Sequence, residues 1–283
     1  MTDLKSSPLA ALAWLVEAGA DEALGEDPVN RFAKVAPKQA AALEPRAPAA
    51  TIFAPRKPAV TPTAVLSPVT SDSDHIGRAM ELAAAANSLA ELKAALESFD
   101  GCPLKINATT TVFADGTPSH RILFIGEAPG RDEDRVGKPF VGRAGQLLDK
   151  MLASIGLDRS KNAYITNVMN WRPPDNRDPS PEEAAMCLPF LRRHIELVQP
   201  EIMIMLGAVS VKHVLGKTDG IMRLRGKWLE YHVNGKMVPV MPTLHPAYLL
   251  RQPAHKKLAW RDLQAIEEKI KSLGLLELSA NAD

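Results

Sequence analysis

A chain of 283 residues, 46% of them hydrophobic, is long enough for one large domain or two modest ones around a true apolar core. Basic and acidic residues nearly cancel to a net charge of +1, so the chain as a whole favours no strongly charged partner, and any nucleic-acid surface must be a local patch. Two cysteines, Cys102 and Cys187, exclude a disulfide scaffold, and no apolar stretch approaches the ~20 residues that span a bilayer; a reduced, cytoplasmic chain with no membrane contact is expected.

Residues 1–34 form a first segment. Its apolar run "PLAALAWLVEAGA", broken by Glu17, has spacing that suits an amphipathic helix and a signal peptide about equally, and the cytoplasmic reading takes it as a helix over 7–24. Residues 35–73 shift to Ala, Pro and Thr, with prolines recurring from 45 to 68, a composition expected of a flexible, semi-extended linker. Residues 74–283 are expected to be the main domain, opening with a helical pair over 74–99. Asn87-Ser88 breaks that pair, and Ser88 with Glu91 reads as a capping box.

Beyond Gly101, short apolar runs alternate with helical patterns. The runs are RILFIG (121–126), AYITNV (163–168), EIMIML (201–206) and KMVPVMP (236–242); the helices fall at 142–156, 181–198, 208–216 and 254–273. Unbroken apolar runs suit strands buried on both faces, and strand–helix alternation suits parallel pairing. The predicted fold is α/β: a three-layer α/β/α domain with a central, mainly parallel four-stranded sheet.

In open parallel sheets ligands sit outside the carboxyl ends of the strands. There the sequence places Glu127 after the first strand, Asn167 at the end of the second and His245 after the fourth. An amide can read a pyrimidine edge, an imidazole can donate to an oxygen gaining charge, and a carboxylate can position water and stabilise a cationic sugar. Phe140 is placed equally well to stack on a flat ring or to pack in the core. The glycines of "FVGRAGQLLDKML", Gly142 and Gly145, suit a phosphate at a helix N-terminus or close packing of helix on sheet. G-x-x-x-x-G-K-S/T and G-x-G-x-x-G are absent, which disfavours P-loop and dinucleotide sites. Basic clusters near Arg225 and Arg251, beside Tyr248, Leu249 and Leu250 on a predicted loop, suit phosphate contacts and insertion into a base stack.

GEAPG followed by "GKPFVGRAGQLLDKML", then "YITNVMNWRPPDNRDPSPEE" and "LHPAYLLRQP", resembles family 4 uracil-DNA glycosylases, in collinear order over roughly Phe99 to Leu263. The resemblance implies the uracil-glycosylase fold, excision of uracil from single- or double-stranded DNA to leave an abasic site, and action as a monomer. It implies that Gly126, Glu127 and Ala128 contact uracil, that Phe140 stacks on the base, that Asn167 reads its edge and that His245 stabilises the leaving anion. Glu133 matches a second acidic position, and whether it or Glu127 handles the water stays open. Leu249 would fill the gap left by a flipped nucleotide, and Arg251, Arg143 and Arg225 would contact DNA.

One departure stands out. Families of this type hold a 4Fe–4S cluster on four cysteines. Cys102 and Cys187 match two of those positions, but Phe99 and Trp171 occupy the other two, so no cofactor is expected. Two other readings remain: a catalytically impaired protein that binds uracil or abasic sites in DNA, and an α/β hydrolase acting on free nucleotides. The N-terminal segment is a candidate tether to a repair or replication protein.

Overall fold

The computed structural model describes residues 71–276. Helices α1 (Asp72–Ala85), α2 (Leu89–Ser98) and α3 (Leu104–Asn107) precede a short strand β1 (Ala114–Gly116). Then come β2 (Ile122–Gly126), α4 (Arg131–Val136), α5 (Arg143–Ala153), β3 (Tyr164–Asn167), α6 (Pro181–Val198) and β4 (Ile202–Leu206). The chain continues through α7 (Ala208–Leu215), α8 (Ile221–Leu224), β5 (Leu229–Val233), β6 (Lys236–Thr243), α9 (Pro246–Arg251) and α10 (Lys256–Ser272). The segment 1–34 and nearly all of the 35–73 linker lie outside the described residues.

The four apolar runs are the four central strands, β3-β2-β4-β6, paired in parallel. Every residue of β2 and β4 is buried, which is why both read as unbroken apolar runs. The sheet has six strands rather than the expected four, because β1 adds antiparallel to β3 and β5 adds antiparallel to β6. Both additions are edges that leave little hydrophobic signal. β1 is three residues of Ala-Asp-Gly, and β5 alternates half-buried with exposed positions up to Val233. Asn234 and Gly235 turn β5 into β6 with positive φ at both, 46° and 79°, a pattern that matches the twist of a hairpin.

Side-chain alternation along the strands builds the three layers. Leu123, Ile125, Met203 and Met205 face one core with Leu92, Leu96, Phe190 and Ile195 of α2 and α6. Ile122, Phe124, Ile204 and Met241 face the other, with Leu148 and Leu152 of α5 and Leu263 and Ile266 of α10. The initial helical pair therefore completes one layer, and Arg193 of α6 ties it down by donating from Nε to the Ala86 carbonyl at 2.9 Å.

The Ser180–Glu183 capping box of α6 forms in both directions. At α2, Ser88 accepts from the Glu91 amide, but the Glu91 carboxylate takes the amide of Asn87 at 2.8 Å, so the expected reciprocal bond moves one residue upstream.

Candidate active site

β2, β3 and β6 run in parallel, so the residues at their ends share one rim. Gly126 ends β2 directly opposite Asn167 at the end of β3. A Cβ on Gly126 would stand 2.4 Å from Asn167 Oδ1 and 2.5 Å from the Phe140 ring, so only glycine lets amide and ring approach. Asn167 is only 2% exposed, and its Oδ1 has no hydrogen-bond partner. Because Asn167 lines a cavity and no described protein group donates to this oxygen, it is available to an N–H of a molecule bound there.

His245 caps α9: its Nδ1 accepts from the Ala247 amide at 3.2 Å. That bond assigns the ring proton to Nε2, leaving Nε2–H as a donor. Burial, and secondarily the Arg251 charge, push the pKa down to about 4, so the ring is neutral at physiological pH. The Phe140 and His245 rings lie 5.5 Å apart, tilted by 35°. Phe140 is at once a core residue and a wall of the site.

Phe140 has φ +54°, and its carbonyl packs so tightly on α5 that a Cβ on Gly145 would sit 1.8 Å from it. Arg159 holds this strained turn, donating from Nη1 to the Pro139 carbonyl at 3.0 Å and from Nη2 to the Phe140 carbonyl at 2.8 Å. Asp115 of β1 and Asp149 of α5 pair with the same guanidinium. Nothing in "LDRSKN" marks Arg159 as a site residue; only the fold brings it beneath Phe140.

The two acidic candidates separate. Glu133 Oε1 accepts from the amides of Val141 and Gly142, both at 2.9 Å, and Oε2 from Gly130 at 3.1 Å. Its carboxylate thus ties the Gly130 turn to the Val141–Gly142 turn that leads into α5, and Gly145 serves close packing. Glu127 accepts the Met169 amide through its backbone carbonyl at 2.9 Å, while its carboxylate accepts no hydrogen bond from the described residues. Burial first, then the neighbouring Asp178, raise its pKa, against a pull downward from Arg251. Glu127, Phe140, Asn167, Asp178, His245 and Arg251 line one cavity of about 360 Å3; Ala128 and Glu133 also border it.

Among the expected DNA contacts, Arg251 lines this cavity, and Arg143 is exposed at the first turn of α5. Two expectations are corrected. Residues 246–251 are a helix, not a loop, so adjacent side chains point apart: Leu249 is 1% exposed and packs in the core, while Leu250 is 36% exposed. Arg225 is turned inward, its side chain 14% exposed, and pairs with the buried carboxylate of Asp262 through both Nε and Nη2.

Cys102 and Cys187 are buried and within hydrogen-bonding contact, and that contact together with burial raises the Cys187 thiol well above its ordinary value. Phe99 packs on Phe190 with ring centroids 5.3 Å apart, and Trp171 donates from Nε1 to Thr111 Oγ1 at 3.0 Å. Two thiols and two buried aromatic side chains do not fit a four-thiolate cluster.

Carboxylate, amide and imidazole at the carboxyl rim of a three-layer α/β/α sheet define a nucleobase-handling α/β protein. A family model described as "Uracil DNA glycosylase superfamily" matches residues 113–264, more than half of the chain, and the chain belongs to that superfamily. It is 41% identical over 176 residues to a Type-4 uracil-DNA glycosylase of Thermotoga maritima, covering 61% of this chain and 90% of the relative. A Type-4 uracil-DNA glycosylase of Archaeoglobus fulgidus is 41% identical over 185 residues, 64% of this chain and 92% of the relative. A Type-5 uracil-DNA glycosylase of Pyrobaculum aerophilum is 32% identical over 148 residues, 47% of this chain and 64% of the relative.

Proposed function

We propose that this protein excises uracil from DNA, hydrolysing the N-glycosidic bond to leave an abasic site. The observation that carries the reading is the buried, unpartnered Oδ1 of Asn167 beside Gly126. That oxygen accepts the N3–H of uracil while the amide nitrogen donates to O4, a pairing cytosine does not offer. Phe140 stacks on the base once it is flipped out of the helix.

Glu127, the cavity carboxylate free of hydrogen bonds, orients the water; Glu133 positions the loop through three amides. The water oxygen attacks C1′, the C1′–N1 bond breaks, and its electron pair leaves with uracil. The water proton passes to Glu127. His245 donates from Nε2–H to the uracil oxygen that gains charge, an interaction worth about 10²–10³ in rate when such a donor is removed. No lysine lines the cavity among the described residues, which supports hydrolysis without a strand-cleaving Schiff base. Buried Phe99 and Trp171 support an enzyme that works without an iron–sulfur cluster.

Uracil release from a labelled oligonucleotide tests this. Wild type is expected to release uracil, and Asn167→Ala and His245→Ala to lose it by at least about 10²-fold while remaining folded, with His245→Ala melting a few degrees lower for the lost cap of α9. No release by wild type favours a DNA-binding protein without turnover, and release from deoxyuridine monophosphate alone favours a nucleotide hydrolase.

A further inference from the structure

A second cleft opens between α5 and α10, about 230 Å3 in volume. Leu147 and Met151 of α5, Leu249 of α9 and Leu263 of α10 make its apolar lining; Trp260, Lys150 and Lys256 stand at its edge. Trp260 is 43% exposed, unusual for so large an apolar side chain. Lys150 and Lys256 are exposed, and neither forms an ion pair among the described residues. The nearest acidic residue on α5, Asp149, is already paired with Arg159.

The cleft and the cavity both border α5 and α9. Ala144 lines the first cavity, and Leu147 and Met151 line the second, one and two turns further on at about 5.4 Å per turn. Arg143, Leu147 and Lys150 fall at i, i+4 and i+7, so they share one helix face. From Arg251 past Arg143 to Lys150 and Lys256, exposed cations thus accompany a partly exposed indole in the cleft lining. Surfaces that hold single-stranded nucleic acid combine these two elements, cations for the backbone and an aromatic ring for a base. A paired base is stacked within the duplex and has no free face to offer, so the arrangement selects an unpaired one.

We propose that the Trp260 cleft is a stacking subsite for an unpaired base of the strand flanking the uracil, which makes single-stranded DNA the better substrate. The proposal rests on the uracil-excision reading for the flanking position, while the subsite itself is tested without it. The full chain is compared with Trp260→Ala, Trp260→Phe and Lys150→Glu/Lys256→Glu, each checked by thermal melting. Binding is measured by anisotropy on a labelled, uracil-free oligothymidine at several salt concentrations, and uracil release on matched single- and double-stranded substrates.

Trp260→Ala is expected to weaken oligothymidine binding by about five-fold or more, the loss of one stacked base. Its kcat/KM on single strands should fall in parallel, with the duplex rate unchanged. Trp260→Phe retains most of the binding, and the double lysine variant flattens the salt dependence. Should uracil release fail in every protein while Trp260→Ala still loses oligothymidine affinity, the subsite stands and the excision reading falls. A folded Trp260→Ala that binds oligothymidine within two-fold of wild type overturns the subsite and leaves the cleft to a polypeptide partner.

Discussion

Replacing Arg225 by methionine is expected to weaken the fold and spare DNA binding, and replacing Arg251 by alanine to do the reverse. Asp262 is 1% exposed; it receives Arg225 Nε at 3.0 Å, Arg225 Nη2, and the Thr243 hydroxyl at 2.7 Å. Arg225 also donates to the Leu258 carbonyl, joining α8 and β6 to α10. Removing one partner of such a buried pair costs about 3–5 kcal/mol, because the carboxylate left behind stays desolvated. At about 2–4 °C per kcal/mol for a domain of this size, Arg225→Met should melt ~6–20 °C below wild type. Burial already raises the Asp262 pKa, and loss of Arg225 raises it further. The folded variant then holds a proton that the unfolded chain has released, so its stability falls as pH rises and its deficit narrows as pH is lowered towards 4. Arg251→Ala should instead melt like wild type and reduce the slope of log affinity against log salt by about one. Circular dichroism melts from pH 4.5 to 8 and anisotropy on a uracil-free duplex read both quantities. An Arg225→Met protein that melts within ~2 °C of wild type and loses a unit of salt slope refutes the burial argument and returns Arg225 to the DNA surface.

Gly126→Ala should abolish uracil release and cost about 1–3 kcal/mol in stability, since its methyl group lands on buried Asn167 Oδ1 and Phe140; single-turnover release and a melt distinguish the two effects. Glu127 acts as a carboxylate and His245 as a neutral imidazole, so kcat/KM should fall as pH drops through the raised Glu127 pKa and fall again towards about 4, where His245 takes up a proton. A His245 ring that titrates at the ordinary histidine value by NMR would refute the buried, neutral imidazole. Arg159→Ala, which frees the Pro139 and Phe140 carbonyls, should lower kcat/KM chiefly through KM, with Arg159→Lys restoring little because an ammonium cannot span two carbonyls and two carboxylates. Leu249→Ala should cost ~2–5 kcal/mol as a core truncation, while Leu250→Ala leaves the melt unchanged, reversing what a DNA-inserting Leu249 would show.

Local pattern alone determined much of this protein. Strands buried on both faces are written as unbroken apolar runs, so β2, β3, β4 and β6 lie within a residue or two of where those runs fall, and the cap and proline at 180–181 mark the start of α6. Parallel pairing then implies one shared rim, which is why Glu127, Asn167 and His245 could be brought together from their order along the chain. The edge strands leave no such trace because β1 is too short and β5 too polar to carry a period; the turn residues Asn234-Gly235 are the local signal for β5. What only the tertiary structure decided is the direction each side chain takes. Glu127 and Glu133 look alike six residues apart, yet the carboxylate of one faces the cavity while that of the other is spent on loop amides at Gly130, Val141 and Gly142. Arg225 and Arg251 look alike in basic clusters, yet a buried carboxylate 37 residues away claims the first. Arg159 gains its place from four groups on three separate segments. Composition and spacing record which groups are available to a site, whereas partners distant in sequence, gathered by the packing of sheet and helices, fix what each group is free to do.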